Sequence, residues 1–299
     1  MSSPRSSKHP AGCNTAIRRT CDSVSSSGLL SIILASILTG HASGHGFLIH
    51  PPARQKGASD FSTAGTVCAY CSCCWFTNGA KIPGKPTICD KNLVTSSMSK
   101  SDQLCGSRDW TKAKPWRAPG TAAITSPCGR NNGRQDGRAL APRSRVRWLS
   151  GGVAEVAHSI TANHGGGYAV RLCPSSLMPK EECFQAHTLR FATNCTTVRF
   201  VNGSTIHIPA TRTSKGTHPT GSEWTKNPIP ASAGYFPSPF EGAVGSKWEF
   251  SLVDQVVVPP ELPPGEYTLS WRWDCEITSQ VWTNCGDISI TADVSPLLH

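Results

Sequence analysis

The chain predicts an all-β fold, a two-layer sandwich, on three observations. Apolar and polar residues alternate with period two in several separate segments, 27 glycines and 23 prolines punctuate the 299 residues, and helical periodicity is weak throughout. Charged residues make up only 16% and cysteines number 14, a composition that suits a loop-rich, disulfide-braced β protein better than a helical one.

In GEYTLSWRWDC (265–275), Tyr267, Leu269, Trp271 and Trp273 fall on one face, and Thr268, Ser270, Arg272 and Asp274 on the other. This is the pattern of a half-buried strand. DISITADV (287–294) repeats it with Ile288, Ile290, Ala292 and Val294. TVRFVNGSTIHI (197–208) carries Asn202-Gly203 between two alternating arms, a hairpin signal. Residues 145–149, 153–160 and 247–253 are further strand candidates, and one short helix is expected around 97–105. From about 54 to 140 the pattern is irregular and rich in Cys, Gly, Lys and Arg, so this stretch reads as long loops decorating one sandwich and not as a second domain.

Residues 1–44 read as a signal peptide. Arg5, Lys8, Arg18 and Arg19 form a basic start, and LLSIILASILTG (29–40) is an apolar run too short to span a bilayer as an anchor. Ala42 and Gly44 then place small residues for cleavage before His45. The expected mature chain is therefore 45–299, a single domain, secreted and free of the membrane after processing. The leader takes Cys13 and Cys21 with it, so 12 cysteines remain for up to six disulfides whose pairing stays open. It also removes four basic and one acidic residue from 29 and 19, leaving 25 and 18, a net charge of +7.

Cleavage before His45 has a chemical consequence. A histidine in mid-chain offers a metal its ring nitrogens alone, whereas an N-terminal histidine offers Nδ1 and an α-amine from one residue, a chelate. The amine titrates near pH 7.7–8.0, so a metal competes with one readily lost proton. A second imidazole would complete three nitrogen donors, a set suited to copper with positions open to oxygen. Within HSITANHGGGYAVRLCP (158–174), His164 stands beside Gly165, Gly166 and Gly167, which would allow close approach of the backbone to a metal or a flat substrate. His158 lies in register with Val156 and Ile160, the position of a packing histidine.

Three segments together carry a resemblance: HGFLIHPPAR from His45, TANHGGGYAVRLCP (161–174) and LSWRWDCEITSQVWTNCGDISI (269–290). With them the chain resembles the lytic polysaccharide monooxygenases of the chitin-binding type-4 superfamily, and is most similar to auxiliary activity family 15 and its protist and oomycete relatives. The resemblance implies an immunoglobulin/fibronectin-III-like β-sandwich and one copper ion in a histidine brace, His45 through its amine and Nδ1 and His164 through Nε2. It implies oxidation at C1 or C4 of a crystalline polysaccharide, chitin or cellulose, with an external electron donor and O2 or H2O2 as co-substrate. It also places an aromatic residue on the axial side of the copper, five residues before Asp287, which is Trp282. Tyr or Phe is usual there; an indole could shield that face but has no phenol. Gln280 matches a glutamine that hydrogen-bonds the oxygen species in some relatives.

Other features admit two readings each. CAYCSCCWF packs Cys68, Cys71, Cys73 and Cys74 into a short span, which suggests a metal site in a cytosolic chain and disulfides behind a signal peptide. The six arginines Arg130, Arg134, Arg138, Arg143, Arg145 and Arg147 are a solvated loop entering a strand, or a surface for an acidic glycan; secretion argues against nucleic acid. Trp75, Phe76, Trp110 and Trp116 are loop aromatics that could stack on sugar rings or fill a local core. Asn194 and Asn202 head glycosylation sequons. The expected protein is a secreted monomeric copper monooxygenase. A non-catalytic chitin- or cellulose-binding protein and a secreted copper-binding protein would share its brace residues.

Overall fold

The computed structural model describes residues 45–55, 80–82, 119–131, 135–143, 145–162, 165–175, 179–200, 202–228, 250–276 and 279–292. The leader, Cys68 to Cys74, the four loop aromatics, Arg134 and the helix expected at 97–105 lie outside these residues.

In chain order the strands are β1 (His45–His50), β2 (Arg130–Asn131), β3 (Gln135–Asp136), β4 (Val146–Leu149), β5 (Val153–Ala162) and β6 (Gly167–Pro174). A short helix α1 (Glu181–Ala186) precedes β7 (Cys195–Phe200), β8 (Thr205–Pro209), β9 (Arg212–Thr213) and β10 (Trp224–Lys226). Three long strands close the fold: β11 (Phe250–Val257), β12 (Gly265–Asp274) and β13 (Val281–Thr291). One sheet has the order β1-β5-β11-β7-β8 and the other β4-β13-β12-β6-β10-β9, with β2-β3 a separate ribbon. The pairings are antiparallel except that of β4 with β13.

This is the all-β sandwich that the alternation predicts. Val156, Ile160, Val198, Leu252 and Val256 from the first sheet meet Val170, Leu172, Leu269, Trp271, Trp273 and Ile288 from the second. Each such side chain, taken fully from water, stabilises the fold by about 1.5–3 kcal/mol. The Asn202-Gly203 hairpin forms between β7 and β8, with Gly203 at φ 85° and the Asn202 Oδ1 accepting from Ser204 N at 2.9 Å and its hydroxyl at 2.7 Å. Asn194 and Asn202 are both exposed, and Cys195 is disulfide-bonded.

Four expectations are corrected. The strand begun at 287 starts six residues earlier, at Val281, and the one expected at 247–253 runs on to Val257. β1, β2, β3, β6, β9, β10 and α1 are elements that the sequence reading does not anticipate. Most consequentially, β12 is not half-buried: from Tyr267 to Asp274 both faces are covered. The cover on its outer side is α1 and the segment 119–128. Arg171 Nη1 and Arg272 Nη1 both donate to Glu181 Oε1, at 2.6 and 3.0 Å, and Arg272 Nε donates to Asp274 Oδ1 at 2.8 Å. Gly120 N donates to Asp274 and Arg272 Nη2 to the Ala122 carbonyl. Disulfides fasten the same cover, Cys173–Cys183 to α1 and Cys128–Cys285 to β13.

Candidate metal centre

β1 begins at His45 and lies along the edge of the first sheet, His45 opposite Ala162 and Gly46 opposite Ile160, with an irregularity between them. Ala162 is two residues before His164 in the chain. The His45 side chain and His164 lie outside the described residues, so the register is a statement about backbone.

Gly46 stands at a close approach. A Cβ there would lie 3.1 Å from the Ser159 carbonyl oxygen and 3.2 Å from the rings of both Trp271 and Trp273, so a side chain would oblige these neighbours to give. The strand is also fastened to the second sheet. Leu48 N donates to Asn284 Oδ1 at 2.9 Å, Ala53 bridges Gly286, and Arg54 N donates to the Cys285 carbonyl at 2.7 Å. The Arg54 guanidinium then forms a buried ion pair with Asp287 at 2.6 Å.

On the other side of residue 164, the Gly165 carbonyl accepts from Trp273 Nε1 at 2.8 Å and from Asn227 Nδ2 at 3.1 Å. Gly166 N donates to Glu276 Oε2 at 3.2 Å, and its carbonyl accepts from Asn227 N at 2.9 Å. The glycine run was read as room for a metal or flat substrate. At Gly166, with φ 72°, the space a Cβ would fill is taken by the Asp274 carbonyl, so this glycine serves close packing of the chain on itself.

Trp273 joins these parts. Its ring lies against Gly46, its N–H is on Gly165, and its cross-strand partner is Trp282. It is completely buried, and Trp282 is buried with it in the core between the sheets. Gln280 is half-buried and closes the β12–β13 turn, its carbonyl accepting from Cys275 N at 3.0 Å. Sequence reasoning singled out Trp282 and Gln280 and missed Trp273, Asn227 and Glu276. Trp273 was legible only as a core position, and nothing local marks Asn227 or Glu276 as neighbours of a turn more than 60 residues away.

The packing role read for His158 holds. It is 1% exposed, with its ring centroid 4.2 Å from Tyr168 and 5.0 Å from Trp271, and burial lowers its pKa to about 3, so it is neutral. Tyr168 donates to Asp254 at 2.5 Å, and burial, then the Asp254 charge, push its phenol well above the ordinary value. Of the arginine run, Arg130 and Arg138 pair with Asp136 and Arg145 with Glu266, as surface and half-buried ion pairs. Among the described residues no three His, Cys, Asp or Glu side chains gather as a metal cluster, and no helix is long and apolar enough to cross a membrane.

No family model and no curated protein matches the sequence. Among solved structures the chain is similar to the cellulose-active lytic polysaccharide monooxygenase CelS2 in complex with copper, at 13% identity and a TM-score of 0.38, over 83% of this chain and 100% of that one. It is similar to a lytic polysaccharide monooxygenase of Jonesia denitrificans at 14% identity and a TM-score of 0.30, again over 83% and 100%. It is also similar to AA10A of T. fusca at 10% identity and a TM-score of 0.27. That match covers 51% of this chain and 55% of that one, so the chain spans about half the length of this relative.

Proposed function

We propose that the protein is a secreted, copper-dependent monooxygenase that oxidatively cleaves glycosidic bonds in a crystalline polysaccharide, chitin or cellulose. The observation that carries the reading is the register of β1. It sets the backbone of His45 opposite Ala162, two residues from His164, at the end of the sandwich where Trp273 touches the neighbours of both histidines.

The donor set fits copper: an amine and Nδ1 from His45 and an imidazole nitrogen from His164 are nitrogen ligands of the kind that copper takes in a planar arrangement. Bound there, with an external reductant and O2 or H2O2, copper would supply the oxidising power to remove hydrogen from C1 or C4 beside a glycosidic bond. The protein's own residues do the rest. Processing before His45 frees the amine, which must be unprotonated to bind. Trp282 and Gln280 are the residues that the resemblance sets beside the metal, where Trp282 would bring an indole and no phenol and Gln280 would bring an amide to an oxygen species. The edge of the sandwich here would meet the insoluble chain, with an acidic glycan as a further substrate class that the charge of +7 allows.

The test is mass spectrometry of soluble products from copper-loaded protein on chitin and on cellulose, with and without ascorbate. It compares protein beginning at His45 with protein extended by one residue. The native terminus should give ascorbate-dependent aldonic acids or C4-oxidised oligosaccharides, and should bind copper tightly. The extended form should do neither, because its amine stands on the wrong atom. Equal activity of the two forms would exclude the brace. Copper binding at His45 with no oxidised product would assign a non-catalytic glycan-binding role, which the missing phenol at Trp282 favours as the second reading.

A further inference from the structure

We infer that Asn202 is an N-glycosylation site of the secreted chain, and that the second sequon, at Asn194, is kept bare by folding. The site depends on the secretion proposed above and not on copper.

Transfer of an N-glycan uses two groups of one triplet, the asparagine amide that takes the sugar and the hydroxyl two residues on. The anomeric carbon of a lipid-pyrophosphate-linked oligosaccharide forms a bond to Nδ2 and breaks its bond to the pyrophosphate oxygen. The amide gives up one proton, and the lipid pyrophosphate leaves. Both groups of the triplet must therefore reach a large enzyme, and the finished glycan needs open space around its asparagine.

The tip of the β7–β8 hairpin meets these demands. Asn202, Gly203, Ser204 and Thr205 are all exposed. Asn202 Oδ1 accepts from Ser204 N and from the Ser204 hydroxyl, which holds the amide and the hydroxyl of the triplet side by side. A Cβ built on Gly203 would meet no described atom within 4 Å, so the tip stands clear of the sandwich. Phe200 pairs with Phe250, Leu252 with His158 and Ile160 with Gly46. The tip is thus at the end of the first sheet where β1 begins, three strands and about 14 Å across from it.

Asn194 is exposed too, but the rest of its triplet is built into β7. The Asn194 carbonyl accepts from Ala210 N at 2.8 Å, and Cys195 is disulfide-bonded and paired with Pro209. Thr196 is fully buried opposite Ile208, and its hydroxyl donates to Asp254 Oδ1 at 2.7 Å. The same carboxylate accepts from Tyr168 and Arg212. Presenting the Thr196 hydroxyl to an enzyme would mean lifting β7 and opening a buried hydrogen-bond network.

The experiment secretes residues 45–299 behind a host leader from a eukaryotic cell that performs N-glycosylation, so that the processed protein begins at His45. The protein is treated with a peptide N-glycosidase in heavy-oxygen water, which turns each glycan-bearing asparagine into labelled aspartate. A parallel sample omits the glycosidase, and peptides are read by mass spectrometry. Label should appear at residue 202 in most molecules and be nearly absent at 194. Ser204→Ala, which keeps Asn202, should lose the label, and Ser204→Thr should retain it. Dithiothreitol given to the cells during synthesis delays disulfide formation, and should raise label at 194 several-fold while leaving 202 unchanged.

No label at 202, label that survives Ser204→Ala, or equal label at both sequons would overturn the inference. So would equal aspartate at 202 in the two samples, since spontaneous deamidation at Asn202-Gly203 would then account for it. An Asn194 that stays bare under the reductant would overturn the part assigned to folding. The full chain with its own leader is expressed beside these; its failure to be exported, with label at 202 behind the host leader, would overturn the secretion reading alone.

Discussion

His158 shows how far a single position can be read before its surroundings are known. Its place in phase with Val156 and Ile160 marks it as inward-facing, and inward it is, packed on Tyr168 and Trp271 with its charged form excluded by burial. That exclusion has a pH consequence. The folded pKa of about 3 is below the unfolded value of about 6.5, so the unfolded chain binds the proton first. The neutral ring costs nothing above pH 6.5, and stability is lost as pH falls from there toward 3, at up to about 1.4 kcal/mol per unit. Urea unfolding at pH 7 and pH 5 should show a loss of about 2 kcal/mol that His158→Leu removes. Gly166 is legible as a special residue, and the structure gives it a packing role. What needs its missing side chain is the carbonyl of Asp274, more than a hundred residues on, which no local pattern announces.

Among the elements, the hairpin at Asn202 and the strand at 265–274 could be read directly, because turn chemistry and period-two alternation are local. The error at β12 is instructive. Alternation predicts one wet face, but Arg171, Arg272 and Asp274 turn their polar groups toward one another and toward Glu181 of α1. Polar character reports that a residue needs partners, and those partners can be protein. β6, buried through seven of its eight residues, lacks clear alternation for the same reason. The arrangement predicts that Glu181→Ala, which leaves two buried guanidinium groups sharing no carboxylate, should cost about 3–5 kcal/mol in urea unfolding. A Glu182→Ala change on the exposed side of the same short helix should cost far less.

At the scale of the whole molecule, the fold class was legible because composition and alternation act over the entire chain. The convergence of β1, the turn after β5 and the end of β12 was not, since it depends on contacts between segments a hundred or more residues apart. The two described disulfides act at this scale too. Cys128–Cys285 closes a separation of 157 residues and Cys173–Cys183 one of 10. On chain-entropy grounds, removing the first should destabilise by about 5 kcal/mol and the second by about 3 kcal/mol. Paired Cys→Ala variants compared by denaturant unfolding measure the difference.

The edge strand β1 has a last consequence, for the lifetime of the molecule. A free end is ordinarily where a chain frays and where exopeptidases begin. Here the end created before His45 would be the first residue of a strand laddered to β5, seated on two indoles at Gly46 and fastened to the opposite sheet at Leu48. An aminopeptidase would have to peel that strand from both sheets before it could reach the first peptide bond. The residue on which the proposed chemistry depends would thus be among the last that a hostile, protease-rich surrounding could remove.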